Sequence, residues 1–269
     1  MQTISTLFAT AALVTFAGAQ TLSIKGSDTL GAKLVPQLAE AFKAAGHKGV
    51  KFEIAAEGSS TAFPALANGT AHIGMSSRKV KDDERTFCRT KGVYLKEHPV
   101  CHDMICVIVN KNSPLTALTK AQVAKIFTGQ IKDWSEIGGA PGKISIYTRN
   151  TSSGTYKDWQ KLAMGSRDYP SSSLKMAGNE QIAQEVAKNN NGIGYVGLAY
   201  SKTSGTKTLV IDGVQPVAQN ARKYAYARLC YLYAPDKPSA EADAFMKFVE
   251  SPAGQDIVRK VGFIPVKDL

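Results

Sequence analysis

The chain has 269 residues, 43% of them hydrophobic and 20% charged, too apolar for a disordered segment and long enough for one large domain or two smaller ones. Its 23 glycines and 11 prolines follow no period, which excludes collagen and coiled coil. Lys and Arg (33) exceed Asp and Glu (22) by 11, a surplus that favours an anionic partner without naming it.

Leu7 to Phe16 is an apolar run, followed by the small residues Ala17-Gly18-Ala19. This pattern predicts a secretory signal peptide over 1–19, although no Lys or Arg precedes the run. The run is too short to span a bilayer. Export predicts a periplasmic protein that begins near Gln20.

Alternating strand and helix signals follow. Strands are predicted over Leu22–Lys25, Val50–Ala55, Ala71–Met75, Met104–Val109, Ile144–Thr148, Gly192–Val196, Thr208–Ile211 and Leu229–Ala234, short runs rich in Val, Ile and Tyr. Between them, Leu30, Leu34, Leu38 and Phe42 mark one buried helical stripe that stops near Gly46. Thr119 caps a helix through Phe127, Asn179 precedes one through Val186, and Ser251-Pro252 opens one through Val258. Such alternation predicts an α/β architecture with mainly parallel sheets.

Three hydroxyl-rich turns follow strands, and each opens a helix: Gly26-Ser27-Asp28-Thr29 before the Leu30 stripe, Gly58-Ser59-Ser60-Thr61 before a short helix ending near Asn68-Gly69, and Arg149 to Thr155 before one through Trp159 and Leu162. A helix's first turn has free N–H groups and a partial positive charge. Glycine lets a guest approach the backbone, and Ser or Thr adds a hydroxyl donor. Turns of this kind facing one point would form an oxyanion site, with Arg149 as a charge-assisted clamp. Read singly, each is only a helix cap. Ser76, Ser77 and Arg78 end another strand and could serve the same anion, with Arg78 alternatively paired to a carboxylate or solvated.

In an oxidising compartment, Cys88, Cys101, Cys106 and Cys230 predict disulfides. Three pairings are open; Cys88–Cys101 with Cys106–Cys230 is favoured, because the first closes a local loop and the second joins two strands. A zinc set of Cys88, His98, Cys101 and His102 matches no standard spacing. Gly192 to Gly197 fits G-x-G-x-x-G but reads as a strand rather than a nucleotide-binding turn. No phosphate loop, nucleophile elbow, arginine-rich block or aromatic RNA platform is present, so neither cofactor, resident metal nor nucleic-acid partner is expected. Tyr224, Tyr226, Tyr231 and Tyr233 read as packing residues. A secreted phosphatase using a serine nucleophile is the rival class, but no histidine lies in the three turns to serve as its base.

Taken together, the motifs resemble the PstS-like family, the periplasmic phosphate-binding proteins of ABC importers. The resemblance is carried by the three turns, by Asn68 to Arg78, Val107 to Asn110, Ile126 to Gly129, Asp133 to Gly139 and Gly192 to Gly197, in the family's order. It implies a two-lobed periplasmic-binding-protein fold of type II, with two sheets flanked by helices and joined by two crossover strands. One lobe would be 20–103 plus 229–269 and the other 104–228, placing Cys106 and Cys230 near the crossovers. The implied protein is a non-catalytic monomer that captures phosphate and presents it to a membrane permease, with sulfate, molybdate or phosphonate as alternative guests and a sensor or adhesin as alternative roles. The implied anion contacts are Ser27 or Thr29, then Ser59 and Ser60, then Arg149, Ser153, Gly154 and Thr155. Better-known members carry an Asp where this chain has Ser77; that carboxylate accepts the proton of bound phosphate and helps exclude sulfate. Asp28 and Asp103 are the candidates to supply that acceptor here.

Overall fold

The computed structural model describes residues 21–269, so the signal-peptide segment lies outside the described residues. The first elements alternate as the apolar pattern dictates: β1 (Thr21–Gly26), α1 (Asp28–Gly31), α2 (Leu34–Ala44), β2 (Lys51–Ala55), α3 (Ser59–Ala67), β3 (Ile73–Ser76) and α4 (Asp82–Thr90). The Leu30, Leu34, Leu38 and Phe42 stripe is fully buried but spans two helices, because a turn at Ala32–Lys33 separates α1 from α2.

Next comes β4 (Leu95–Asn110), a 16-residue strand. It is followed by β5 (Ala117–Leu118), α5 (Lys120–Phe127), β6 (Ser145–Arg149), α6 (Gly154–Leu162), β7 (Leu174–Met176), α7 (Asn179–Lys188), β8 (Gly192–Gly197), β9 (Thr206–Thr208) and β10 (Val210–Ile211). The chain closes with β11 (Ala227–Pro235), α8 (Ala240–Glu250), α9 (Pro252–Val261) and β12 (Ile264–Pro265). The G-x-G-x-x-G match is strand β8. Thr119 caps α5 in a capping box with Gln122, and Ser251 caps α9 through Gly254 N–H.

The strands run in the order β2-β1-β3-β11-β4-β8-β6-β7, with β9 and β12 also on β4. The two predicted sheets therefore share β4 and form one continuous curled sheet. Its flanks are parallel, β1 with β2 and β3, and β6 with β7 and β8. Its centre is antiparallel, which corrects the expectation of mainly parallel pairing: β4 runs against β11 from Leu95 to Met104, then against β8 from Ile105 to Val109. At ~3.3 Å per residue β4 is about 50 Å long, enough to cross from one core to the other. One core gathers Leu22, Ile24, Leu34, Phe42 and Phe245. A second gathers Met104, Val107, Phe127, Trp159 and Tyr195, a smaller third gathers Phe63, Leu66 and Tyr233, and the tyrosines Tyr224, Tyr226, Tyr231 and Tyr233 are buried.

The first half of β4 escaped the strand pattern because it carries Lys96, Glu97, His98 and Pro99. The pairing accommodates Pro99 by a bulge: Cys230 faces Cys101 and Tyr231 faces Pro99, leaving Val100 as the extra residue. The Val100 carbonyl accepts a bond from Gln255 instead.

The expected disulfides Cys88–Cys101 and Cys106–Cys230 are absent; all four thiols are free and buried. The register explains why. Cys106 lies past the point where β4 leaves β11 and faces Val196 of β8, whereas Cys230 faces Cys101. Cys88 sits on α4 with its Sγ on the Phe63 carbonyl. Burial pushes the Cys101 thiol well up, and its neighbour Cys230 adds to the shift. The zinc set is not assembled either: no group of three His, Cys, Asp or Glu suited to a metal occurs among the described residues. His98 instead pairs with Glu250 at 2.5 Å.

Candidate functional site

Each hydroxyl-rich turn leaves the carboxyl end of a parallel strand and starts a helix: β1 into α1, β2 into α3, β6 into α6, the place where open α/β sheets put their ligands. The three turns meet. Gly58 N–H donates to the Gly26 carbonyl at 2.7 Å, and Ser60 N–H to the Ser152 carbonyl at 3.0 Å. Ser152 Oγ donates back to the Glu57 carbonyl at 3.0 Å. Gly58 has φ of +134°, and a Cβ there would lie 2.7 Å from the Ser152 carbonyl oxygen, so only glycine allows this approach.

A chain of buried hydroxyls crosses the junction. Ser59 Oγ lies 3.3 Å from Ser77 Oγ, Ser77 Oγ 3.5 Å from Thr155 Oγ1, and Thr155 Oγ1 3.0 Å from Thr29 Oγ1. Gly154 closes against this chain: a Cβ on it would meet Ser59 Oγ at 2.3 Å and Ser77 Oγ at 2.6 Å. Ser153 caps α6 by accepting from Tyr156 N–H at 3.2 Å, which leaves its own proton to donate. Ser27 is 1% exposed at the start of α1. Ser60 Oγ accepts from Arg78 Nη2 at 3.1 Å, which leaves its own proton to donate, and the same guanidinium pairs with Glu84, so Arg78 takes the carboxylate-paired reading.

Arg149 is 1% exposed. Its Nε and Nη2 donate to the Ala177 carbonyl at 3.2 and 2.8 Å. Its Nη1 stands 3.1 Å from Asp28 Oδ2 without a hydrogen bond, a buried N–H group lacking such a partner. Burial pulls the guanidinium below its ordinary value, and Asp28 opposes that shift.

The two candidate proton acceptors are both engaged. Asp28 Oδ2 accepts from Asn179 N–H at 3.0 Å and Nδ2 at 2.7 Å, so it serves α7 across the cleft rather than its own helix. Asp103 is fully buried, takes Arg228 Nη2 at 2.8 Å and Nε at 3.2 Å, and accepts from Leu198 N–H at 3.0 Å.

Sequence reasoning missed Arg228, Asp158 and the side-chain role of Asn179. Arg228 reaches Thr155 Oγ1 at 3.0 Å and Asp158 at 3.4 Å. Burial raises the Asp158 carboxyl above its ordinary range, with Arg228 opposing. The available signal was a pair of opposite charges just before the strands expected from the sequence, Asp103 before Met104 and Arg228 before Leu229.

This fold, two main cores on one sheet with helix starts from both meeting at a hydroxyl-lined junction, defines a two-lobed solute-binding protein. The family profile described as a PBP superfamily domain matches residues 15–253. The chain is 36% identical over 270 residues to the phosphate-binding protein PstS of Pseudomonas aeruginosa, covering 91% of this chain and 83% of that one. It is 29% identical to PstS of Bacillus subtilis, covering 92% and 81%. A Clostridium perfringens substrate-binding protein solved with bound phosphate superposes with a TM-score of 0.85 at 31% identity, over 92% of this chain and 100% of that one. The chain belongs to the PstS family of this superfamily.

Proposed function

We propose that this protein captures inorganic phosphate between its lobes, 20–103 with 229–269 and 104–228, and delivers it to an ABC permease outside the cytoplasm. The observation that carries the reading is the convergence of helix starts and hydroxyls from both lobes beside the buried Arg149. Its ligands would be Ser27, Thr29, Ser59, Ser60, Ser77, Arg149, Ser153, Gly154 and Thr155. Partial charges of helix starts and neutral hydroxyls can replace an anion's water without fixing it by many full charges. The +11 net charge would assist encounter, and binding between lobes couples capture to hinge closure.

One detail favours phosphate. Ser77 is the only hydroxyl of the chain of four that takes no bond from a group able only to donate: Ser59 takes Ser77 N–H, Thr29 takes Asn179 Nδ2, and Thr155 takes Arg228. With no such donor on it, Ser77 has the most acceptor capacity of the four for the proton that phosphate carries near neutral pH and sulfate lacks. Position 77 itself carries no carboxylate to repel sulfate, so sulfate and molybdate belong in the same assay. Isothermal titration should show phosphate binding, tighter than sulfate. Arg149→Ala should weaken it by about 2–5 kcal/mol, the cost of removing one partner from a buried charged contact. No heat with phosphate, or an unchanged affinity in Arg149→Ala, overturns the assignment.

A further inference from the structure

We propose that Arg228, on the crossing strand β11, is a positioning residue of the anion site: it fixes Thr155 as a hydrogen-bond donor toward the guest. The proposal rests on the oxyanion reading of the cleft. A guanidinium donates and never accepts, whereas a hydroxyl has one proton and two acceptor sites. Arg228 Nη2 lies 3.0 Å from Thr155 Oγ1, so one acceptor site of Thr155 is filled and its proton is turned to other neighbours. An ionised donor also polarises the O–H it feeds, making Thr155 a stronger donor than an isolated threonine.

The arrangement supplies this polarity without adding net positive charge. Asp103 takes two bonds from the same guanidinium, and Asp158 lies 3.4 Å from its Nη1. Burial works against the Arg228 charge, but Asp103, Cys230 and Asp158 together outweigh it and hold the guanidinium charged. Arg228 and Asp103 are direct cross-strand partners on the two strands that pass between the lobes. The donor behind Thr155 is thus carried by the hinge itself rather than by either lobe's surface.

A double-mutant cycle on the full protein tests this, with inorganic phosphate as the titrant. Arg228→Lys keeps the charge but has one nitrogen for Asp103, Asp158 and Thr155. It should weaken phosphate about tenfold or more, as loss of a charged hydrogen bond does. Thr155→Val should weaken it comparably, Thr155→Ser should retain affinity, and Arg228→Lys should add little in the Thr155→Val background. Multiplying effects in the double variant, or unchanged affinity in Arg228→Lys, overturn the proposal. Thermal melting of each ligand-free variant reports folding. If Arg228→Lys does not fold, Arg228→Gln with Asp103→Asn gives an uncharged pair on which the same cycle is run. Wild-type protein that fails to bind phosphate defeats the functional reading and this inference together. Binding with an additive cycle defeats only the inference.

Discussion

The proposed anion cradle and the crossing strands meet at a 3.0 Å bond, Arg228 to Thr155, yet they bury polar groups in different ways. The proposed cradle is mostly neutral hydroxyls and helix starts, Thr29, Ser59, Ser77 and Thr155, and adds one guanidinium, Arg149, beside Asp28. The crossing strands bury full charges, Arg228 with Asp103, and neutralise them internally. A site that must receive and release a charged guest gains from donors that remain tolerable without it. A hinge that carries no guest can satisfy its charges permanently.

The sharpest way to break the contrast is to unpair the hinge. Asp103→Ala leaves Arg228 buried without its main partner and should cost about 3–5 kcal/mol of stability, read as a large drop in melting temperature. A drop no larger than that of a surface substitution would show that water reaches Arg228. On the cradle side, Gly154→Ala should act chiefly on binding. Its methyl group would displace Ser59 and Ser77 hydroxyls, at a cost of ~1–3 kcal/mol. Phosphate titration at unchanged affinity would mean that those hydroxyls do not face the guest.

A pair of helix caps sharpens the comparison further. Ser153 and Ser251 cap α6 and α9 by equivalent bonds of 3.2 Å. Each Ser→Ala change should cost ~1 kcal/mol of stability, but only Ser153→Ala should also weaken phosphate. Equal effects on binding would remove the special status of the α6 turn.

The smallest effect concerns Asp158, between the two regions. Burial raises its carboxyl above the ordinary range despite Arg228. The folded state then holds the proton to higher pH than the unfolded chain. Its contribution to stability is full below the ordinary carboxylate pKa, about 3.9, and is lost as pH rises through the raised value. The melting temperature of wild type relative to Asp158→Asn should fall across that window. A relative rise would mean that Arg228 dominates and the carboxyl is depressed.

Much of this was legible in the sequence because it is local. Glycine and hydroxyl residues after a strand specify a helix start wherever the chain places it, so the turns at Ser27, Ser59 and Ser153 could be read from a few residues each. The helical stripe through Phe42 and the caps at Thr119 and Ser251 are short-range patterns of the same kind. What needed the tertiary structure depends on pairing between distant segments. The antiparallel register of β4 with β11 sets Arg228 opposite Asp103 and Cys230 opposite Cys101, 125 and 129 residues apart, and parts Cys106 from Cys230. Asp28 stands in a turn that read by itself is only a helix cap, and only the approach of distant segments made it a partner of Asn179 and Arg149. Backbone conformation follows from neighbours in the chain, whereas the compensation of a buried charge depends on whichever segment the fold brings beside it.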